Sequence, residues 1–578
     1  MSDGDARHGA TGAATTPDKG EEGALAEGID VRVYRRRWAT LLVLCLALSA
    51  TMLANTSLSV ALPQLSRALG ASTSAQQWFS DAYALVFAGL LFTTSSIADR
   101  YGRKWMLQAG MVLFGLVSVY VWLFVGSSTE MIAARALLGV GGAMIMPVTL
   151  SILTSVFPSG ERTKAVGIWA AVSGAGSAAG PVIAGVLLQY FSWESVFVIN
   201  VPVVVIGVIA GIRYIPSHTG TEGGHGGLDL LGALLSTAGI TIAVYALIEA
   251  QYVGWLSPRT LSLVALGLVL LALFALWERR VADPMLDVRL FRSRGFSASA
   301  VALTLVFFAM IGVFFALSQT LQLVFGYSPL MASTAMLPMS VMMMLIAPQV
   351  SRIVDRFGPR NTIAVGLLLA ALGMVGLSTL TVDSGYWQIL LPLSCTAAGM
   401  SLAMAPATDQ LMANVPRERA GMGSATNDVT REVGASLGVA VLGSVLGGSY
   451  AARISDSLTG LPEQLRQTAE ESLPGGMMVA ESLGARGQRL ADEVSVAWMN
   501  ASQTAYLASA GLIAVAALVA WFFLPGKTRR TETAEVRASS ETERSASEEP
   551  DSATERSDSA NDRSDRATER SDTAVTEQ

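Results

Sequence analysis

The sequence predicts an all-α integral membrane protein with fourteen transmembrane helices. Hydrophobic residues make up 52% of its 578 residues and charged residues only 15%, which is too apolar for a soluble globular protein. The apolar residues also fall in long runs, and a helix needs roughly 20 such residues to cross a bilayer. The runs lie near 38–61, 78–98, 105–126, 131–154, 166–190, 195–215, 229–250, 260–278, 296–318, 331–351, 361–382, 386–413, 433–450 and 503–524.

Charges in the connecting segments predict the orientation of these helices. Lys and Arg cluster before the first run, in every second loop and after the last run. Because basic loops stay in the cytoplasm, we expect a multi-pass protein of the inner (plasma) membrane with both termini cytoplasmic. This orientation requires an even number of spans. The main basic positions are Arg32, Arg35, Arg36, Arg37, Arg100, Arg103, Lys104, Arg162, Lys164, Arg279, Arg280, Arg352, Arg356, Arg360, Arg417, Arg419, Lys527, Arg529 and Arg530.

Three polar segments lie outside the apolar runs. Residues 1–37 and 527–578 are predicted to be disordered cytoplasmic tails, because they contain too few apolar residues to form a core. Residues 451–500 are predicted to form an extracellular loop. The stretch PEQLRQTAEESL within that loop looks helical, and a cap on the outer face is the alternative to a solvated loop.

Composition also argues against several classes of function. Cys45 and Cys395 both lie inside apolar runs, which gives neither a disulfide framework nor metal-ligand spacing. There is no phosphate-binding loop for ATP and no loop carboxylate cluster that would hold Mg²⁺ and a diphosphate in a membrane transferase. We therefore expect no enzyme activity, no metal and no cofactor. The expected partners are a small-molecule substrate and the lipid bilayer, not nucleic acid.

An internal repeat divides the chain into two halves. IADRYGRKW (Ile97–Trp105) follows the second run and IVDRFGPRN (Ile353–Asn361) follows the tenth, each with Asp-Arg-aromatic-Gly-x-basic between two helices. Equivalent positions of these loops define an N-terminal six-helix half, 38–215, and a C-terminal six-helix half, 296–526. Two additional helices are inserted between them, within 216–295. Duplicated halves are common in secondary transporters, which hold substrate near the midplane between them.

The repeated loop has features of a gate. Asp99 ends one helix, Arg103 and Lys104 begin the next, and Gly102 permits the tight turn that brings the charges together. Such ion pairs can hold two helices in one conformation and break in another, although a basic loop can also be a topology signal alone. The predicted gating residues of the two loops are Asp99, Arg100, Gly102, Arg103, Lys104, Asp355, Arg356, Gly358 and Arg360.

Further motifs accompany these loops. They are MLANTSLSVALP (Met52–Pro63), ARALLGVGGAMIMP (Ala134–Pro147), SWESVFVINVP (Ser192–Pro202), LQLVFGYSPL (Leu321–Leu330), GMGSATNDVTREVGASLGVAVLG (Gly421–Gly443), and the span-five positions Gly167, Gly176, Gly180, Pro181 and Gly185. With them the chain resembles the major facilitator superfamily, specifically its fourteen-span drug:proton antiporter branch, over about 38–450 and the final helix.

This resemblance implies a major-facilitator fold of two six-helix halves plus two inserted central helices. It also implies a monomeric, proton-coupled antiporter that exports hydrophobic or cationic drugs or antibiotics from the cytoplasm by alternating access. The proton gradient would then be the energy source. Dedicated export of one endogenous metabolite or antibiotic is the alternative within transport.

Ionisable residues inside the membrane are the candidates for proton coupling. The family usually carries an Asp at the position of Ala54, so another acid is required here. Counting 1.5 Å per residue places Asp81 and Arg135 in the same layer as Ala54. We therefore predict that Asp81 takes up the proton and that Arg135 tunes it; an interfacial role beside Trp78 is the alternative. Asp409, near the cytoplasmic end of span twelve, is the second candidate.

Two further groups are predicted to serve gating and sealing. Asp428 and Glu432 are spaced i,i+4 and share a helix face, with Arg431 adjacent, at the predicted cytoplasmic start of span thirteen. An inner-gate ion-pair network is the favoured interpretation and substrate binding the alternative. The span-five glycines allow close approach of a neighbouring helix and Pro181 allows a bend. The antiporter motif implies that they seal the pathway and set the direction of transport.

A pliable hydrophobic cavity is predicted in the C-terminal half. Met is adaptable and aromatic faces attract organic cations, although either residue type could equally face lipid. The predicted cavity residues are Asn55 in span one, Phe307, Phe308 and Phe314 in span nine, and Met336 and Met339 in span ten.

Overall fold

The protein is a helical bundle in the computed structural model, which describes residues 19–217, 229–484 and 487–526. Fourteen helices in these ranges are long and apolar enough to cross a membrane, which confirms the predicted number. Residues 1–18 and 527–578, which belong to the predicted tails, lie outside the described residues, as do 218–228 in the linker before the inserted helices.

The described residues form nineteen α-helices. In chain order they are α1 Lys19–Ala26, α2 Val31–Thr56, α3 Leu58–Ala68, α4 Thr73–Tyr101, α5 Arg103–Phe124, α6 Ser128–Val156, α7 Ser159–Tyr190, α8 Ser195–Val198, α9 Asn200–Tyr214, α10 Leu230–Val253, α11 Pro258–Glu278, α12 Arg294–Gln319, α13 Pro329–Phe357, α14 Pro359–Leu377, α15 Tyr386–Ala413, α16 Ala420–Ile454, α17 Glu463–Glu471, α18 Leu473–Ser482 and α19 Gln488–Phe523. Short 3-10 or π turns occupy Val288–Arg292, Thr320–Val324, Arg417–Arg419 and Ser455–Leu458.

Local sequence signals define several helix ends. The capping box of Ser127 and Glu130 satisfies backbone N–H groups at the start of α6. Gly102 ends α4 with φ 113° and Gly358 ends α13 with φ 81°, conformations that L side chains rarely adopt. Each glycine therefore reverses the chain in a single residue, so the next helix starts immediately.

The N-terminal tail is shorter than predicted. Residues 19–26 form α1 and the first spanning helix already begins at Val31, so the prediction of disorder through residue 37 is wrong from residue 19 onward. Ala24 and Ile29 are buried, and Glu21 forms an ion pair with Arg35. These few contacts order a segment whose composition alone predicts disorder. We call residues 19–30 the N-terminal strap.

Span thirteen begins earlier than predicted, at Ala420 instead of near 433. Its first turns contain Gly, Ser, Thr, Asn and Asp residues, which lower the local hydropathy. All residues from Ala420 to Asp428 are nevertheless buried against other helices and not exposed to lipid. A search for apolar runs therefore misses the start of this helix. It also misses the start of α19 at Gln488, where exposed polar residues such as Arg489 and Asp492 lower the hydropathy of the first turns.

The predicted extracellular loop 451–500 is mostly helical. The expected helix in PEQLRQTAEESL is confirmed as α17, and α18 follows it directly. The Tyr450 hydroxyl donates to the backbone oxygen of Ala469 over 3.0 Å, and Leu473 is fully buried. These contacts attach α17 and α18 to the ends of α16 and α19.

Two seams join the halves. Along one seam α7 of the N-terminal half packs on α13 of the C-terminal half, and along the other α4 packs on α16. The inserted helix α10 contacts both α4 and α16, so it covers the second seam, while α11 packs mainly on α10. We call the side of the bundle that carries the α4–α5 turn the basic side, and the side that carries the α10–α11 turn the opposite side.

Candidate functional site

A cavity of about 750 Å³ lies between the two halves. Helices of both halves line it, and five of the six predicted cavity residues are among the lining: Asn55, Phe307, Phe314, Met336 and Met339. The sixth, Phe308, is not. It lies one residue after Phe307, about 100° around the helix, and its backbone packs on Gly438 of α16.

Part of the lining was not predicted. Tyr83 and Phe87 of α4 stack on each other with ring centroids 5.7 Å apart and face the cavity. Met400 and Met404 of α15 line it as well. Both pairs are spaced i,i+4, and this one-face spacing of large soft side chains is the sequence signal that could have identified them.

Asp428, Arg431 and Glu432 lie in the cavity wall and not at the end of a helix. The predicted position is wrong because α16 begins at Ala420, which places Asp428 more than two turns into the helix. The Asp428 side chain is 1% exposed. One of its oxygens accepts a hydrogen bond of 3.1 Å from the Asn427 amide, while Oδ2 is buried without a partner in the described residues.

Arg431 connects the two halves inside the cavity. Its guanidinium lies 4.6 Å from the ring centroid of Phe307 in its own half and 5.5 Å from that of Trp169 in α7 of the other half. Nη2 is 3.4 Å from the Ser173 hydroxyl, also in α7, and Nη1 is 3.9 Å from Asp428 Oδ1. Aromatic faces, a hydroxyl and a carboxylate therefore surround one cation.

Arg135 is fully buried beside the cavity, behind Tyr83. Nε donates to the backbone oxygen of Phe79 over 2.6 Å, and Nη1 reaches the backbone oxygen of Ala54 at 3.4 Å. Its guanidinium lies 4.7 Å from the centroid of the Tyr83 ring. The predicted role of Arg135 in tuning Asp81 stays a prediction, because no hydrogen bond or ion pair joins the two within the described ranges.

Asp81 lies on another face of α4. Trp78, one turn earlier, stacks on Tyr245 of α10, and Gly89, two turns later, lies against Thr241 of α10. Residues spaced in this way share a helix face, so Asp81 lies on the side of α4 that packs on the inserted helix. It is half-buried there and does not line the cavity.

Asp409 forms a contact between the halves on the basic side. Its Oδ2 accepts a hydrogen bond of 2.6 Å from the hydroxyl of Thr163, near the start of α7. Asp409 is not part of the cavity wall. The structure thus separates the three predicted coupling residues, with Arg135 behind the cavity, Asp81 toward α10 and Asp409 near the basic side.

The first copy of the repeated loop closes the basic side. Arg103 is 2% exposed and forms a 2.8 Å ion pair with Asp99. Arg103 Nη2 also donates to the backbone oxygens of Arg417 and Glu418 in the other half, each over 3.0 Å. Asp99 in turn accepts from the backbone N–H of Gly421 over 3.3 Å. Two charged side chains of the N-terminal half therefore bind the backbone at the start of α16.

Lys104, the next basic residue of this loop, binds within its own half. Lys104 donates to the backbone oxygens of Ile212 and Ile215, where α9 ends, over 2.9 and 2.8 Å. A cation at this position satisfies carbonyl groups that a helix end leaves without intrahelical partners. Arg100 is half-buried next to Asp99.

The second copy makes a different set of contacts. Asp355 and Arg356 are exposed, and Gly358 forms a turn with positive φ, as Gly102 does in the first copy. The guanidinium of Arg360 lies 4.7 Å from the centroid of Trp521 in α19, within the C-terminal half. The basic residue of this copy therefore packs inside its own half.

The N-terminal strap adds a contact to the basic side that no sequence pattern indicated. Glu27 accepts hydrogen bonds from the backbone N–H and the hydroxyl of Ser159 at the start of α7, the latter 2.6 Å long. The same carboxylate pairs with Arg417 of the other half, which also donates to the Glu27 backbone oxygen. Partial burial opposes ionisation, but the hydrogen bonds from Ser159 and the charge of Arg417 hold the pKa of Glu27 below its usual value.

The span-five motif allows close packing at several positions. A Cβ added at Gly167 would lie 2.9 Å from the backbone oxygen of Ala347 in α13, and one at Gly176 would lie 3.2 Å from Met52 in α2. Gly180 meets the hydroxyl of Thr56 so closely that a Cβ there would clash. Gly185 has an ordinary contact with Leu330, and Pro181 lines the cavity.

Known proteins are similar to this chain in sequence. The chain matches the Major Facilitator Superfamily over residues 44–439. It is 32% identical over 547 residues to a tetracenomycin C resistance and export protein of Streptomyces glaucescens, covering 92% of this chain and 96% of that protein. It is 34% identical over 491 residues to the multidrug efflux pump LfrA of Mycolicibacterium smegmatis, covering 84% and 96%.

Solved structures agree on the fold. The crystal structure of the human organic anion transporter MFSD10 matches with a TM-score of 0.55 at 13% identity, covering 84% of this chain and 99% of that one. At such low identity the likeness concerns the fold alone. Taken with the sequence matches and the two six-helix halves around a central cavity, it shows that the chain belongs to the major facilitator superfamily.

Proposed function

We propose that this protein exports hydrophobic or cationic drugs or antibiotics from the cytoplasm across the plasma membrane by alternating access. The observation that supports this most directly is the cavity between the halves, which is closed toward the basic side by the Asp99–Arg103 contacts. If basic loops are cytoplasmic, this conformation is closed to the cytoplasm and both termini are cytoplasmic. The protein then acts as a transporter and not as an enzyme, and we propose that it works as a monomer.

The cavity wall suggests the class of substrate. Its volume of about 750 Å³ falls within the usual range for drug-sized ligands. Phe314 and Met336 supply adaptable apolar surface, and Asp428 and Glu432 supply negative charge. A site with these properties favours organic molecules that are largely apolar and carry a positive charge.

We propose that the proton gradient drives export and that no cofactor is needed. Glu432 and Asp428 are the acids best placed for exchange between proton and substrate, because they line the cavity itself. A proton on these groups would weaken the attraction for a cation, so proton uptake and substrate release would be linked. Asp81 and Asp409, which the sequence suggested, are alternative sites of proton uptake that the same experiment can test.

Inverted membrane vesicles with an imposed pH gradient test this proposal. Wild-type vesicles should accumulate a fluorescent cationic dye, and a proton ionophore should abolish the uptake. Glu432→Gln should lower uptake about tenfold or more, which corresponds to about 1.4 kcal/mol, because the amide can neither bind a proton nor attract a cation. Glu463→Gln is the matched control, because that glutamate is exposed in α17.

The outcome separates the alternatives. Uptake that does not depend on the pH gradient would contradict proton coupling. If Asp81→Asn abolishes uptake and Glu432→Gln does not, the acid lies on the α10 side of α4. A screen of cationic dyes and neutral antibiotics then distinguishes multidrug export from export of one compound. The Streptomyces relative is named for export of a single antibiotic, tetracenomycin C, which favours the second alternative.

A further inference from the structure

The guanidinium of Arg431 occupies a cage suited to an organic cation. Phe307 and Trp169 present ring faces at 4.6 and 5.5 Å, within the roughly 6 Å range of cation–π attraction. Asp428 provides a carboxylate at 3.9 Å, and Glu432 lines the same part of the cavity. Aromatic faces together with carboxylates are the features that bind alkylammonium and phosphonium ions.

The contacts of Arg431 are incomplete for a purely structural arginine. A guanidinium carries five N–H donors in a fixed fork and usually binds a carboxylate through two of them. Here the distance to Asp428 is 3.9 Å, the bond to Ser173 is 3.4 Å long, and Nε is buried with no partner in the described residues. Asp428 Oδ2 is also buried and unpartnered. Arg431 therefore occupies the cage but leaves hydrogen-bonding groups of its own and of Asp428 without partners among the described residues.

We propose that Arg431 is a tethered cation that occupies the cation subsite when no substrate is bound, and that a monovalent organic cation displaces it. This inference rests on the proposed export function and identifies the substrate class of the same cavity. Arg431 then acts as a specificity-determining residue. Weakly binding or uncharged compounds do not displace it, whereas a cation with a larger apolar surface does.

Displacement also has a conformational consequence. Arg431 belongs to α16 of the C-terminal half, but Trp169 and Ser173 belong to α7 of the N-terminal half. Movement of the guanidinium out of the cage removes this contact between the halves. Substrate binding is thereby linked to a weaker connection between α16 and α7, which alternating access requires.

Binding of tetraphenylphosphonium to the purified full-length protein tests the inference. Arg431→Gln removes the competing charge, so its Kd should fall about tenfold relative to wild type while its transport rate falls. Arg431→Lys retains a cation without the planar fork and should lie between the two. Arg453→Gln is the control, because Arg453 is an exposed arginine on the same helix, and its Kd should be unchanged.

Each result has a defined meaning. An unchanged or higher Kd in Arg431→Gln, with wild-type binding and transport intact, would overturn the tethered-cation role. Failure of the proposed function looks different, because wild type itself would then transport no drug. If Arg431→Gln does not fold, as judged by thermal unfolding, Arg431→Met supplies the same removal of charge. Asp428→Asn in the Arg431→Gln background should raise the Kd again, and a Kd unaffected by it would place the cation elsewhere.

Discussion

The two copies of the Asp-Arg-aromatic-Gly loop have the same backbone turn and different partners. In the first copy, Asp99 and Arg103 are buried and bind the backbone of the opposite half. In the second, Asp355 is exposed and Arg360 stacks on Trp521 of its own half. The repeat therefore encodes one local structure, and the surrounding helices determine how deeply its charges are buried.

The largest expected difference between the copies concerns their aspartates. Asp99→Asn leaves Arg103 buried without its counter-ion, and breaking a buried ion pair costs roughly 3–5 kcal/mol. Dye export in inverted vesicles should fall about tenfold or more at equal protein level. Asp355→Asn affects an exposed side chain, where ion pairs contribute about 1 kcal/mol or less, so export should stay within about twofold of wild type. Equal losses in the two variants would show that the copies are equivalent gates.

The glycines should respond alike, because the backbone turn is what the copies share. Gly102 and Gly358 both have positive φ, and a residue with a Cβ in such a conformation costs about 1–3 kcal/mol. Gly102→Ala and Gly358→Ala should therefore lower the thermal unfolding temperature of the purified protein by similar amounts. A loss confined to one variant would show that the turns are not equivalent. Gly126→Ala is the control, since Gly126 does not have a positive φ and no atom lies within 4 Å of an added Cβ there.

The N-terminal strap should support only the first copy, because Glu27 binds Arg417, whose backbone oxygen accepts from Arg103. Glu27→Gln should increase labelling of a cysteine placed by Ser424→Cys, a position that is fully buried in the second turn of α16. The partners are partly exposed, so the increase should be a few-fold, corresponding to about 1 kcal/mol or less. Glu22→Gln, at an exposed position of α1, should have no effect.

The same measurement can be made as a function of pH. The pKa of Glu27 is lowered in the folded protein. The stabilisation that its carboxylate gives to the basic side is therefore present above the ordinary glutamate pKa, and it is lost as the pH falls through the pKa of Glu27 in the folded protein. Because the thiolate is the form that reacts, the two proteins are compared at each pH. At neutral pH the protein with Ser424→Cys alone should label more slowly than the one that also carries Glu27→Gln, and this difference should disappear in acid. Identical pH profiles would show that Glu27 does not hold the basic side closed.

The smallest expected effect concerns Trp521, the partner of Arg360. Trp521→Leu removes a cation–π contact at a partly exposed site, which contributes about 0.5–1 kcal/mol. Thermal stability should fall slightly and dye export should persist. Trp387→Leu is the matched control, because Trp387 is another exposed tryptophan of the C-terminal half. A strong loss of export in Trp521→Leu alone would give the second copy a role in gating.

Apolar runs predicted the helix number because lipid requires apolar surface on every spanning helix. The start of α16 could not be predicted from them, because a helix end buried by protein is free to be polar. The start of α19 was missed because its first turns are exposed and polar. The cavity residues Phe307 and Met336 were predicted from composition, but Phe308 shows that composition does not define which face of a helix a side chain occupies.

The sequence by itself determined the membrane-spanning class, the division into six, two and six helices, and the positions of the turns at Gly102 and Gly358. These features depend on local composition and backbone conformation, which the chain carries residue by residue. Only the tertiary structure decided that Asp428 and Glu432 face the cavity, that Asp81 lies toward α10, and that the first loop copy joins the halves. Those assignments depend on which helix packs beside each charge, and residues distant in sequence determine that packing.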